Sequence, residues 1–462
     1  MWIVLLSSII LAQDGVVRTS TGVDLKLTGE LTLYYLFRDG SLLEFENAVN
    51  AGIAPAASQR SADLVGGRAR LRLDIRYDQV SGVIEIETRN IDQGTFQGFG
   101  RDTADEVQIA VEQAFIRVRD FLADDVTLFL GIRDVRAVTR AWGEPFFLDV
   151  AESESAFNRF AMRGLRNFVH RDTLEPAGVL VRYDPMGPVR IEAFAYRVFD
   201  NLGGAAAGGG DRVDENLFGI YVDWFAHPEY TKGFLIVTDF QGGGDPTRPA
   251  AFNDQAGKNS DVVTVGGGVD LFFGEGKPFE AFAEGYGQFG RLTRGVNKSA
   301  YAFRAGARAV WLLDLHSWFI QAAIWEASGD SDPANGTDET FQSYENEDVL
   351  AILQSNDYGI DIDTNYRGFV VTAGILGWER FDISIDWGAA RFVHRPRNDA
   401  GARYAPHELG HEIDIDVRWQ YTPEFALFLT AAFLFDSSAM HRMSSNGSRE
   451  SWLLVIGGNF RY

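Results

Sequence analysis

The chain has 462 residues, with 42 Lys and Arg against 65 Asp and Glu for a formal charge of -23, and it contains 49 Gly, 35 Phe and no Cys. Without cysteine there are no disulfides, thiolate metal sites or cysteine nucleophiles, and the acidic balance argues against a general nucleic-acid binder, which needs a basic face. The length alone suggests two or three soluble domains, but the patterning favours one large closed unit.

The first apolar stretch, Trp2 to Ala12, is about half of the roughly 20 residues that a helical membrane span needs. Residues 1–12 read as the apolar region of a signal peptide without the usual basic start. From Val23 the pattern has period two: Leu25, Leu27, Leu31, Leu33, Tyr35 and Phe37 share one face, and Asp24, Lys26, Thr28, Glu30 and Thr32 the other. The next segment sets Arg68, Arg70, Arg72 and Arg76 against Leu71, Leu73, Ile75 and Tyr77. A face of four arginines demands water, so the opposite face must meet something apolar.

The same alternation predicts strands near 23–38, 67–78, 80–90, 105–119, 125–134, 176–184, 188–199, 215–225 and 230–240. A second set falls near 260–273, 278–291, 299–314, 316–328, 366–377, 379–392, 408–421, 424–436 and 450–462, making eighteen. Connections after odd strands are long and those after even strands are tight turns. Long loops on one side, short turns on the other and an even count imply an all-β fold, an 18-stranded antiparallel transmembrane β-barrel spanning 13–462. Closure is required because an open sheet edge in hydrocarbon leaves backbone groups unpaired. The expected place is the outer membrane of a Gram-negative-type bacterium, with outer-membrane lipid, lipopolysaccharide and the barrel-assembly machinery as partners. The final strand, SWLLVIGGNFRY, ends on an aromatic as such barrels do. A large soluble β-sandwich or β-helix is the competing reading.

Parity assigns the inward face. Early strands offer Arg68, Arg70, Arg72, Arg76, Arg89, Arg117, Arg119, Arg133, Arg182 and Arg190, interrupted by Glu85, Glu87 and Glu192. Late strands offer Glu280, Glu284, Asp382, Asp386, Glu412, Asp414 and Asp416, interrupted by Arg304 and Arg308. Opposed basic and acidic walls would set a transverse field across a water-filled lumen, unless the charges merely pair across strands. The 135–175 connection is long enough to fold inward as a constriction, or to cap the barrel from outside. Loop 329–365 opens with an acidic run in which Asp330, Asp332, Asp338 and Glu339 can collect a calcium ion. The spacing misses the EF-hand pattern, which favours a solvated loop.

His407-Glu408-Leu409-Gly410-His411 spells the zinc-hydrolase signature, whose two imidazoles must stand one helical turn apart. Here Pro406 precedes it and strand alternation follows, and on an extended backbone residues four apart are separated by about 13 Å, too far to share a metal. No catalytic residues and no cofactor are expected.

The stretches VEQAFIRVRDF with VTLFLGIRDVR (111–136), RDTLEPAGVLVRYDPMGPVRIEAFAYRV (171–198), WEASGDSDPANGTDETFQ (325–342) and LGHEIDIDVRWQYTPEFALFLTAAFLF (409–435) resemble the alginate export family of outer-membrane porins. The resemblance implies an eighteen-stranded barrel passing an acidic polysaccharide outward, with Arg117, Arg119 and Arg133 on the conducting path and Glu412 and Asp414 in an acidic late strand. The expected function is then a passive channel exporting an alginate-type polymer, fed by a periplasmic export apparatus. A general or nutrient and ion diffusion porin, an adhesive surface barrel and, last, a barrel enzyme are the alternatives.

Overall fold

The computed structural model describes residues 16–42, 62–89, 108–132, 177–198, 215–243, 259–341, 350–354, 362–395 and 406–462, apart from 20, 40, 186, 228–230, 275–277, 294, 314–315, 333–334, 363, 379 and 445–446. The expected signal segment 1–12, the connection 135–175 and Arg133 lie outside these residues.

The chain opens with a short strand, β1 (Val16–Arg18), followed by β2 (Asp24–Arg38), β3 (Ala62–Tyr77), β4 (Val80–Arg89), β5 (Gln108–Val118), β6 (Val126–Ile132), β7 (Ala177–Tyr183) and β8 (Val189–Val198). Next come β9 (Glu215–His227), β10 (Thr231–Gly243), β11 (Asn259–Phe273), β12 (Phe279–Thr293), β13 (Val296–Leu313), β14 (His316–Ala327) and a second short strand, β15 (Thr337–Asp338). The chain ends with β16 (Tyr366–Trp378), β17 (Phe381–Phe392), β18 (Glu408–Gln420), β19 (Phe425–Phe435), a short helix α1 (Ser438–Met443) and β20 (Ser451–Arg461). Each long strand pairs antiparallel with its neighbours, and β20 closes onto β2 with Glu30 opposite Arg461 and Arg38 opposite Leu453. The eighteen long strands therefore form one closed antiparallel barrel, as the alternation requires. Across the seam, Asn459 Nδ2 donates to Glu30 Oε1 at 2.6 Å and to Thr32 Oγ1 at 2.8 Å.

Burial is inverted relative to a soluble protein. Leu33, Ile84, Ile220, Leu235, Ile324 and Ile385 are exposed, while Thr32, Glu192, Thr238, Thr264, Asp386 and Thr430 are buried. Charged and hydroxylic side chains face inward and aliphatic ones outward, the arrangement that hydrocarbon outside and water inside impose. Aromatic rings border the outward band near the turns, where Phe381 stacks on Trp419 at 5.8 Å and Trp419 meets Tyr421 at 5.2 Å. They recur toward the long connections, where Phe37 stacks on Trp452 at 5.7 Å. The chain is a transmembrane β-barrel.

Two short strands adapt the edges. β1 pairs with β2 at residues 24–26, where β20 offers no partner because its pairing with β2 starts at Glu30. β15 runs parallel to β13 at Asn297 and Lys298, above the point where β14 ends its pairing at Ala302. It is the first sign that the connection after β14 turns back along the barrel.

Candidate functional site: the lumen walls and an inner strap

On the early wall the arginines pair with carboxylates in several groups. Arg70 lies in β3 opposite Glu87 in β4, and Arg72 opposite Glu85, because consecutive strands pair residue for residue on the inner face. Arg70 reaches Glu85 at 2.9 Å and Glu87 at 2.7 Å, and Arg72 reaches Glu85 at 3.2 Å and Asp74 at 3.1 Å. Gln113 joins at 3.5 Å, standing directly opposite Glu85 in the β4–β5 register, just before that register shifts. Nearer the turns, Arg117 Nε donates to Ser81 Oγ at 2.9 Å, and Arg182 binds Glu192 at 2.6 Å while lying over the Phe129 ring. Arg190 bridges Asp184 at 3.1 Å and Asp223 at 3.9 Å. Pairing lowers the cost of packing several guanidinium groups together, and several of them keep an exposed surface.

Arg68 and Arg89 stand opposite one another in β3 and β4. Arg76 is exposed at the turn end of β3, and Arg119 is exposed in the turn after β5. Both are close enough to Arg117 to repel it electrostatically.

The late wall is differently occupied. Glu280 pairs with Arg308, and Glu284 lies 4.0 Å from Arg304, whose guanidinium sits over Phe282. Asp386 accepts from Thr372, and Asp416 accepts from Thr430 at 2.5 Å. Asp382, at the turn end, accepts from the Gly377 N–H at 2.9 Å. Glu412 and Asp414 are fully buried, and both accept hydrogen bonds from the connection 329–365.

That connection folds into the barrel. It leaves β14 at Ser328, whose N–H donates to Tyr301 O and whose hydroxyl donates to Glu339 O. Lys298, on the inner face of β13, binds Asp338 at 2.8 Å, and Phe341 packs at 6.3 Å against Tyr286 of β12. Farther along, Leu350–Gln354 make one turn closed by Gln354 N to Leu350 O at 3.1 Å, and it presents its backbone donors to β18. Ala351 N donates to Asp414 Oδ2 at 2.9 Å; Ile352 N and Leu353 N donate to the two Glu412 oxygens at 2.5 and 3.1 Å. The orphan N–H groups at the start of a helical turn suit a carboxylate, so the acidic wall acts as a latch.

Gly388 stands opposite Glu412 in the β17–β18 register, and a Cβ there would lie 2.8 Å from a Leu350 methyl, so glycine is what lets the turn seat. Gln354 Nε2 donates to the Tyr366 hydroxyl at 2.9 Å, and the chain re-enters the wall at β16. Phe341, Leu350, Ala351, Ile352, Leu353 and Ile362 share an apolar cluster with Trp325, Tyr366 and Val370. The connection is thus an inner strap crossing from the β12–β13 wall to the β17–β18 wall.

The four acidic residues expected to collect calcium lie in the first part of the strap. Asp330 accepts from Asp332 N, Asp338 binds Lys298, and Glu339 accepts from the Ser331 amide and hydroxyl. Oxygens of Asp330, Asp338 and Glu339 are engaged in this way, and no group of three or more metal-ligating side chains placed to hold an ion occurs among the described residues. Burial pushes the Asp330 carboxyl up, and the Ser331 donors hold Glu339 below the usual range. The inserted turn itself escaped the sequence reading. Its signal is Val349-Leu350-Ala351-Ile352-Leu353, five successive apolar residues inside a loop otherwise rich in Asp and Glu.

The zinc-like motif lies at the start of β18. His411 stacks between Trp387 at 6.4 Å and Phe435 at 5.6 Å, and His407 Nδ1 lies 3.0 Å from Phe392 O. The two imidazoles are engaged separately, as an extended backbone dictates.

No family model and no curated protein matches the chain. Solved barrels match over nearly its whole length. OccAB2 of Acinetobacter baumannii superposes with a TM-score of 0.55 at 8% identity, covering 95% of this chain and 98% of that one. Pseudomonas aeruginosa OpdK, solved with vanillate, gives 0.51 at 13% identity, covering 94% and 99%. OprD of Pseudomonas aeruginosa gives 0.52 at 10% identity, covering 95% of each. These likenesses correct the family expectation, and with it the alginate-type export that it implied. The quoted stretches are alternating strands, girdle aromatics and loop acids, which any outer-membrane barrel of this size needs. The chain is an eighteen-stranded outer-membrane β-barrel, similar in fold to OprD and OpdK of Pseudomonas aeruginosa and to OccAB2 of Acinetobacter baumannii.

Proposed function

We propose that the chain is a passive diffusion channel for small charged solutes, with a preference for anions. The observation that carries the reading is the inner strap latched on Glu412 and Asp414. It occupies lumen cross-section, which disfavours a polymer, and it covers the acidic wall. Glu412 and Asp414 are 0% exposed, whereas the Arg70 and Arg72 side chains keep 21% and 36% of their surface. Field lines focus on the charge that remains accessible in a low-dielectric cleft, so the arginine-bearing arc dominates what a passing solute feels. Repeated, partly satisfied guanidinium contacts hold a carboxylate weakly enough for release.

OpdK, solved with vanillate, supplies a test solute of the right class, a small carboxylate. Bilayer recordings under a salt gradient should show anion preference, and liposomes should swell in vanillate but not in a polyuronate. Arg70→Glu with Arg72→Glu should move the reversal potential toward cations, and Arg70→Gln with Arg72→Gln should move it less. A potential indifferent to both variants, each folded by heat-modifiable migration, removes these residues from the conducting path.

A further inference from the structure

We propose that Arg367 and Arg391 form a lipid-facing site for the phosphorylated headgroup of lipid A, the glycolipid that anchors lipopolysaccharide in the outer leaflet. The proposal rests on the outer-membrane placement and is independent of the solute. Arg367 in β16 and Arg391 in β17 are direct register partners. Arg391 shares its strand face with the exposed Ile385 and Trp387, whereas the alternate residues Ala390 and Phe392 are buried. Both guanidinium groups therefore leave the barrel on the lipid side.

Their height follows from the strand. Ten steps from Phe381 to Arg391, at roughly 3.3 Å each and tilted by about 40°, rise about 25 Å, the height of an outer-membrane apolar band. Phe381 lies at a turn and Arg391 one residue before the end of β17, where a long connection begins. Long connections are extracellular, so the pair sits at headgroup level of the outer leaflet.

Like charges directly opposed across strands destabilise a sheet unless an anion lies between them. Arg367 has one carboxylate, Glu326 at 3.4 Å, and its Nε is covered without a hydrogen-bond partner. Arg391 is exposed and makes no hydrogen bond or ion pair among the described residues. Glu408, opposite Arg391 in register, accepts instead from Ser438 Oγ at 2.9 Å. A phosphate would supply the missing acceptors to both guanidinium groups in the geometry they favour. Below them, Phe369 and Trp387 meet edge to face at 5.1 Å, and small Ala389 stands opposite Phe369, a platform for acyl chains.

The test is native mass spectrometry of the full chain folded in detergent, titrated with bisphosphorylated lipid A, dephosphorylated lipid A and phosphatidylglycerol, with inorganic phosphate as competitor. Lipid A should bind at least about tenfold more tightly than the other two lipids, and Arg367→Ala with Arg391→Ala should abolish that difference, two charge-assisted contacts being lost. Arg291→Ala, on the outer face of β12, should change nothing. Should the double variant fail to fold, Arg391→Gln alone, at an exposed side chain with no partner among the described residues, should still weaken lipid A severalfold. Equal retention of lipid A by wild type and the Arg391 variants, equal binding of phosphatidylglycerol or dephosphorylated lipid A, or an equal loss in Arg291→Ala overturns the site. So does complete displacement by millimolar inorganic phosphate, which would mark a small-anion site.

Discussion

Glu412 shows how one side chain can be legible in orientation and opaque in purpose. Strand parity puts it and Asp414 inward, and both are inward. Parity cannot say that each carboxylate will meet backbone N–H groups from a segment some sixty residues away. The bonds make a sharp prediction. Glu412→Ala removes the acceptors of Ile352 N and Leu353 N, at about 1.5 kcal/mol each as a lower figure for bonds to a charged group. A loss of about 3 kcal/mol shifts the docked strap toward release by about two orders of magnitude. Hydrogen exchange at the Ile352 and Leu353 amides should accelerate by that factor, while Glu412→Gln, which keeps an acceptor oxygen, should accelerate it far less. Unchanged exchange in Glu412→Ala would remove the latch. The early wall was more readable: Glu85, Glu87 and Glu192 share the arginines' face in sequence, and they pair with Arg70, Arg72 and Arg182 in the structure.

The strap is the element that the sequence concealed. Loop 329–365 has no sustained period, and its acidic run draws attention from the short apolar stretch that inserts. Its docking depends on partners whose proximity only barrel closure creates, such as Lys298 for Asp338 and Tyr286 for Phe341. A pH dependence follows from its carboxylates. Glu339 has its folded pKa lowered by Ser331, so its contribution is present above the unfolded value near 4.3 and is lost as pH falls through the folded value. Asp330, raised by burial, acts in the opposite sense: its protonation favours the docked form and partly offsets the loss. Channel current should stay quiet from neutral pH to about 5 and become noisy and larger below about 4. Ser331→Ala, by returning Glu339 toward its ordinary value, should shrink that pH step and make the current larger and noisier already at neutral pH; a step unchanged by the substitution would detach the effect from Glu339.

For the whole molecule, the architecture was legible because one physical demand repeats eighteen times: water inside, hydrocarbon outside, and a turn or loop after each crossing. Errors in strand ends, such as β13 opening at Val296 instead of near 299, leave the count untouched. The family was misread for the same reason, since alternation and aromatic girdles report the membrane and not the cargo. What distinguishes one such barrel from another lies in how the lumen is filled, and here the strap packs against the acidic wall. The most direct measurement compares single-channel recordings of the full chain with a variant in which a short Gly-Ser linker replaces residues 342–361. The expected result is at least a twofold rise in conductance together with a reversal potential moved toward cations, because the lumen widens while Glu412 and Asp414 become accessible. An unchanged conductance and an unchanged selectivity would contradict a strap that narrows the lumen and shields its acidic wall.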